Sequence, residues 1–171
     1  MIIFITGGVK SGKSSYAHNL AKTLSAHPVF VATAKIWDEE FKERVERHQS
    51  DRGPEWENYE EMIAVSSLPL ENKVVVVDCL TLWLTNFFLD SEQEIDVSLK
   101  RFKAEIDRIS EKEGTFILVS NELGMGVHAE TALGRKFTDL QGLANQYAAA
   151  KANKVVFMVS GIPMIIKALR E

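Results

Sequence analysis

The sequence predicts a three-layer α/β fold, a mostly parallel sheet flanked by helices, and three observations carry that prediction. Five short apolar runs rich in β-branched residues, at 2–5, 29–32, 74–77, 116–119 and 155–159, have the length and composition of buried strands. Segments of helical period separate several of them. A glycine-rich stretch follows the first run at once, where a strand of such a sheet turns into a helix. Strands alternating with helices pair in parallel through right-handed crossovers, which puts helices on the faces of the sheet.

The elements follow in order. After the first run, Tyr16, Leu20 and Leu24 repeat four apart and mark a helix. Trp37, Phe41 and Val45 mark another, with His48 at its end. Leu99, Phe102, Ile106 and Ile109 repeat at three and four, as do Leu133, Phe137, Leu140, Ala144 and Tyr147. Residues 66–73 and 112–115 read as plain surface loops. With 171 residues, no internal repeat and no linker, residues 1–171 read as one domain.

Composition narrows the function classes. A net charge of −4 gives no electrostatic case for nucleic acid or an anionic membrane. No apolar run approaches the roughly 20 residues of a membrane span. The N-terminus has no basic region ahead of its apolar run, so a signal peptide is not expected. Cys79 is the one cysteine, which excludes an intrachain disulfide and suits a reducing cytoplasm.

The stretch Gly7-Gly8-Val9-Lys10-Ser11-Gly12-Lys13-Ser14 fits G-x-x-x-x-G-K-[ST], a phosphate-binding loop. Its glycines let consecutive backbone N–H groups turn toward phosphate oxygens, and the helix N-terminus behind it favours anions. Lys13 then reaches the β- and γ-phosphates, and the Ser14 hydroxyl is placed to hold Mg²⁺. Thr6 leads into the loop. Asp78 ends an apolar run, the usual position of the second Mg²⁺-holding group, although a strand-terminal Asp also serves as a helix cap. Thr81 offers that cap instead. Ligands of parallel sheets bind beyond the carboxyl ends of the strands, which puts residues 6–14, 33–35, Asp78, Asn121 and Glu122 on one rim.

His48 stands among Arg44, Arg47 and Arg52. Taken alone, it is at home beside a helix C-terminal dipole. The second reading is a nucleophilic imidazole surrounded by guanidiniums that bind a triphosphate. Residues 120–126, Ser-Asn-Glu-Leu-Gly-Met-Gly, suit either a loop that meets a ligand or one shaped by turn geometry. His18, His27 and His128 show no metal-like spacing.

Taken together, these motifs resemble the bifunctional adenosylcobinamide kinase / adenosylcobinamide-phosphate guanylyltransferase family of cobalamin biosynthesis. The resemblance rests on the phosphate loop, Ala32-Thr33-Ala34, the block Arg44-Val45 to His48, Arg52, Trp56 and Glu60, and Asp78-Cys79-Leu80-Thr81-Leu82-Trp83. It continues through residues 120–126 to Arg135, Phe137, Asp139, Gly142, Asn145-Gln146 and Ser160-Gly161-Ile162-Pro163. The fold it implies is of P-loop NTPase type and RecA-like. It implies phosphorylation of adenosylcobinamide by ATP or GTP, then transfer of GMP from GTP to adenosylcobinamide phosphate with Mg²⁺, through a guanylyl group on His48. It further implies nucleotide contacts at Ala32, Thr33, Ala34, Gln49, Ser50, Asp51, Arg52 and Glu60, with Glu60 able to read guanine, and a homo-oligomer, a trimer in the family. The chain departs from the family pattern at Lys10, Gly53-Pro54, Asn58 and His128-Ala129. A simple phosphate-loop kinase accounts for Lys13, Ser14 and Asp78 but not for the His48 block. A regulatory GTP-binding protein needs guanine and switch motifs that the chain lacks.

Overall fold

A computed structural model describes residues 1–35 and 53–168. Seven described strands form one sheet: β1 (Ile2–Gly7), β2 (Val29–Ala32), β3 (Glu57–Glu60), β4 (Lys73–Asp78), β5 (Gly114–Val119), β6 (Lys154–Val159) and β7 (Ile162–Lys167). Their order is β3-β2-β4-β5-β1-β6-β7, and every neighbouring pair is parallel except β6 with β7. The helices are α1 (Lys13–Leu24), α2 (Leu80–Asp90), α3 (Ile95–Glu111) and α4 (Ala132–Lys151).

The strands alternate between two cores because successive side chains leave opposite faces. Ile2, Phe4, Val75, Val77, Phe116 and Leu118 join α2, α3 and α4 on one face, around Trp83, Phe87, Phe102 and Leu140. Ile3, Ile5, Val76, Ile117 and Val119 join Ala17 and Ala21 of α1 with Phe30 and Trp56 on the other. Strands buried on both faces become uninterrupted apolar runs, which is why all five were legible. His18 is structural: its ring meets Phe30 at 5.5 Å and Trp56 at 5.3 Å between centroids.

Two further strands lie outside those five runs. In β3, Glu-Asn-Tyr-Glu, no residue is fully buried, and it pairs only with β2 at one edge. In β7 every residue is exposed, and it enters through a two-residue turn with φ 51° at Ser160 and 82° at Gly161. Pro163 is tolerated there because an edge strand needs only one row of partners.

The reading of residues 66–73 as a plain surface loop is corrected. Leu70 is fully buried, and the Ser66 backbone N–H and hydroxyl donate to the buried Glu105 carboxylate at 2.9 and 3.0 Å. Lys73 opens β4, and Gly114 and Thr115 open β5. Thr81 is no cap either: α2 begins at Leu80, and the Thr81 hydroxyl accepts from the Asn121 backbone and side-chain N–H groups, both at 3.1 Å.

Candidate active site at the carboxyl rim

The parallel strands β3, β2, β4, β5 and β1 end on one rim, so Glu60, Ala32, Asp78, Val119 and Gly7 stand along it in sheet order. Thr6 is buried at the end of β1, and the loop 8–12 turns from there into α1. Gly7 is required by space, since a Cβ there would stand 2.4 Å from the Met158 carbonyl oxygen. Gly12 takes φ 94° at the helix N-cap, which favours glycine, and its carbonyl accepts the Tyr16 N–H at 2.9 Å. Gly8, Val9 and Lys10 form the exposed crest, and the Ser11 carbonyl accepts from Gly161 N–H at 3.0 Å. The β6–β7 turn thus buttresses the loop, a contact no local pattern announces.

Lys13 is 7% exposed and folds back over the loop, its ammonium donating to the Gly8 carbonyl at 2.5 Å and to the Ser11 hydroxyl at 3.5 Å. Burial holds this ammonium below its ordinary value of 10.5, while the charge of Asp78 and then Cys79 pull the other way. Asp78 ends β4, two strand places from β1 on the same rim. Ser14, half-buried, opens α1 beside it. Cys79 is inert by the same physics: burial, then the neighbouring Asp78 charge, push its thiol up to about 12.

Behind the rim lies a buried polar network. The Asn145 side-chain oxygen accepts from the Ser120 hydroxyl at 2.7 Å and from Gln141 at 2.9 Å, and its amide donates to the Asn121 carbonyl at 3.0 Å. Glu122 N–H donates to the Gly7 carbonyl at 3.0 Å. The network ties α4 and the end of β5 to the start of the phosphate loop. Gln141 was missed in the sequence; its signal was a polar pair four apart, Gln141 and Asn145, beside the apolar stripe of α4.

On the β2 side, Thr33 is fully buried and its hydroxyl donates to the Cys79 carbonyl at 2.8 Å, while Asn86 donates to the Thr33 carbonyl at 2.7 Å. Ala32 ends β2 and Ala34 is half-buried beyond it. Glu60 is exposed at the end of β3, in register with Ala32. Four strand intervals separate β1 from β3, about 19 Å at a spacing of about 4.8 Å. His48, Gln49, Ser50, Asp51 and Arg52 lie outside the described residues, as do Trp37, Phe41, Arg44, Val45 and Arg47. Among the described residues no group of three or more His, Cys, Asp or Glu side chains is placed to hold a metal ion by itself, and no helix is long and apolar enough to cross a membrane.

This geometry agrees with the relatives of the chain. The family model of cobinamide kinase / cobinamide phosphate guanyltransferase matches residues 3–166. The chain belongs to that family. The bifunctional adenosylcobalamin biosynthesis protein CobP of Pseudomonas aeruginosa is 37% identical, with 95% of each chain covered. The protein of the same description named CobU in Escherichia coli strain K12 is 36% identical, covering 98% of this chain and all of that protein. Among solved structures, a prototypical ATPase from the type III secretion system of pathogenic bacteria matches with a TM-score of 0.58 at 10% identity, over 91% of this chain and 50% of that one. That likeness is one of fold, and the fold is of P-loop NTPase type.

Proposed function

We propose that this chain phosphorylates adenosylcobinamide with ATP or GTP and then transfers GMP from GTP to adenosylcobinamide phosphate. The products are adenosylcobinamide-GDP and pyrophosphate, and one domain carries both reactions. The observation that carries the proposal is the family match over residues 3–166 falling on a rim where Lys13 is buried over an intact phosphate loop and Asp78 ends β4.

Among the described residues the buried ammonium of Lys13 makes no ion pair, only hydrogen bonds to the Gly8 carbonyl and the Ser11 hydroxyl. A triphosphate in the loop supplies a charge partner, and the backbone N–H groups of the loop and the N-terminus of α1 add to the attraction. Ser14 and Asp78 offer a hydroxyl and a carboxylate, hard oxygen donors that suit Mg²⁺ completed by phosphate oxygens and water. When bound, such an ion neutralises charge on the phosphates and on the leaving pyrophosphate.

His48 is the proposed nucleophile for guanylyl transfer. Its neutral imidazole attacks the α-phosphorus of GTP, forming a P–N bond as the bond to the bridging α–β oxygen breaks and pyrophosphate leaves with that electron pair. A phosphate oxygen of adenosylcobinamide phosphate then attacks the same phosphorus, the P–N bond breaks, and the imidazole recovers its lone pair. Gln49, Ser50, Asp51 and Arg52, with Ala32, Thr33 and Ala34, are the proposed companions of the nucleotide. Glu60 is the proposed reader of guanine, since a carboxylate accepts from the ring N1–H and the exocyclic amine together. The rim separation of about 19 Å suits a GTP lying extended from β1 toward β3.

The deciding experiment incubates the protein with α-labelled GTP and Mg²⁺. An acid-labile, alkali-stable label is expected on the native chain and absent from His48→Ala. Label that persists in His48→Ala sinks the histidine assignment, and a native chain that takes none favours a simple kinase. Glu60→Gln tests the base contact: an unchanged preference for GTP over ATP in labelling removes Glu60 from that role.

A homo-oligomer, a trimer on the family pattern, is also proposed. The exposed edge of β7, with Ile162, Met164, Ile165 and Ile166 in water, supports assembly, because unpaired apolar edges are otherwise an aggregation hazard. Ile165→Lys is expected to lower the sedimenting mass, and an unchanged mass would take β7 out of the interface. The cytoplasm is the proposed setting.

A further inference from the structure

Three apolar side chains are strongly exposed on the phosphate loop and on the segment tied to it through Glu122: Val9 at 73%, Met125 at 76% and Val127 at 96% exposure. Val9 crests the loop itself. The other two project from the segment between β5 and α4, which is fastened at both ends. At one end Glu122 N–H is bonded to Gly7 and Asn145 to the Asn121 carbonyl. At the other end the Arg135 guanidinium donates to the carbonyls of Ala129 at 3.1 Å and Glu130 at 2.7 Å, and Thr131 caps α4.

Between these ties the segment presents Met125 and Val127 to water. Met125 is three positions beyond Glu122, so its Cα lies within about 10 Å of the one bonded to the phosphate loop. Apolar groups held exposed beside a catalytic rim mark a surface for an apolar ligand. The nucleotide does not need them, since its phosphates are met by N–H groups, Lys13 and hydroxyls. The other substrate does. A corrinoid is a broad ring with methyl-bearing hydrocarbon faces and a cationic cobalt centre, and its hydroxyl arm must come to the phosphate loop. The composition of the segment agrees: between its two ties, residues 123–129 hold no Asp, Glu, Lys or Arg, as an apolar seat requires.

We propose that Met125 and Val127, together with Val9, form the seat for a hydrocarbon face of the corrin ring, which brings the hydroxyl arm to the phosphate loop. The proposal rests on the assignment of the chain as a cobinamide kinase and guanylyltransferase.

The test is the double variant Met125→Ser/Val127→Ser, whose side chains are too exposed to hold the fold together. Three quantities are measured on native and variant protein: label taken from α-labelled GTP alone, KM and kcat for adenosylcobinamide and its phosphate, and sedimenting mass. The expected result is an unchanged label and an unchanged mass, with KM for both corrinoids raised about tenfold or more and kcat little altered, as loss of apolar burial predicts. Normal labelling with an unchanged corrinoid KM overturns the seat and leaves the enzyme assignment standing. A fall in sedimenting mass with unchanged KM overturns it in favour of a contact between copies of the chain. A native protein that neither takes label nor turns over either corrinoid overturns the enzyme assignment, and the seat with it.

Discussion

The two rims of the sheet handle polar groups in opposite ways. At the carboxyl rim Lys13, Thr33, Ser120, Gln141 and Asn145 are buried and share partners across β1, β2, β5, α1 and α4. At the amino rim the groups are exposed and pair off: Lys73 with Glu57 at 2.7 Å, Lys112 with Glu71 at 2.9 Å, and the N-terminal amine with the Gly114 carbonyl at 2.7 Å. The perturbations differ in kind as well. Burial lowers Lys13, whereas hydrogen bonds from lysines lower Glu57 and Glu71. A buried network holds atoms in place at the cost of desolvation; exposed pairs close strand ends and are screened. Position matters where chemistry is done, and only one rim is built for position.

Three substitutions break or sharpen that contrast. The largest effect is expected at Lys13→Ala, which should cost both reactions about 100-fold or more and abolish the rise in Tm that GTP produces. The fold should survive, because the replaced ammonium was paying desolvation. A Lys13→Ala protein that keeps its activity would dissolve the distinction between the rims. Next comes Asn145→Ala, which strips partners from Ser120, Gln141 and the Asn121 carbonyl. A loss of about 2 kcal/mol in urea unfolding is expected from buried groups left unsatisfied, together with a lower kcat as the phosphate loop loses its tie through residues 121–122. Stability lost with kcat intact would make the network a strut and nothing more.

The smallest effect belongs to the amino rim. Glu57→Gln should cost below about 1 kcal/mol, less at high salt, because the pair is solvent-screened. Its pH dependence has a definite sign. Hydrogen bonds from Lys73, then Tyr59, hold the Glu57 carboxyl below its ordinary 4.5, so the unfolded chain binds the proton more readily. The contribution is therefore present above about pH 4.5 and is lost as the pH falls through the lowered value. Native and Glu57→Gln unfolding curves should converge in acid; a gap that persists there means the glutamate acts through packing.

Legibility in the sequence followed the same divide. Strands β1, β2, β4, β5 and β6 were readable because burial on both faces forces an apolar run, and the rim positions of Asp78, Asn121 and Glu122 followed from parallel pairing. Edge strand β3 was not, since an edge needs no apolar run and its partner β2 lies far back in the chain; β7 is apolar but carries Pro163 and follows β6 after a two-residue turn, which hid it as a separate strand. Leu70 was hidden by the polar residues around it. Thr81 looked like a cap because only tertiary contact shows that its hydroxyl serves Asn121.

By itself the sequence determined the sheet class, the phosphate loop with Lys13 and Ser14, and the family, because these are written in short-range patterns of glycine spacing and apolar runs. The role of His48 still rests on those patterns alone. The tertiary structure decided that Gln141 and Asn145 lock the end of β5, that the β6–β7 turn braces the loop, and that Glu122 ties the segment after β5 to it. Those contacts join residues tens of positions apart, and a hydrogen bond between distant segments leaves no local period to read.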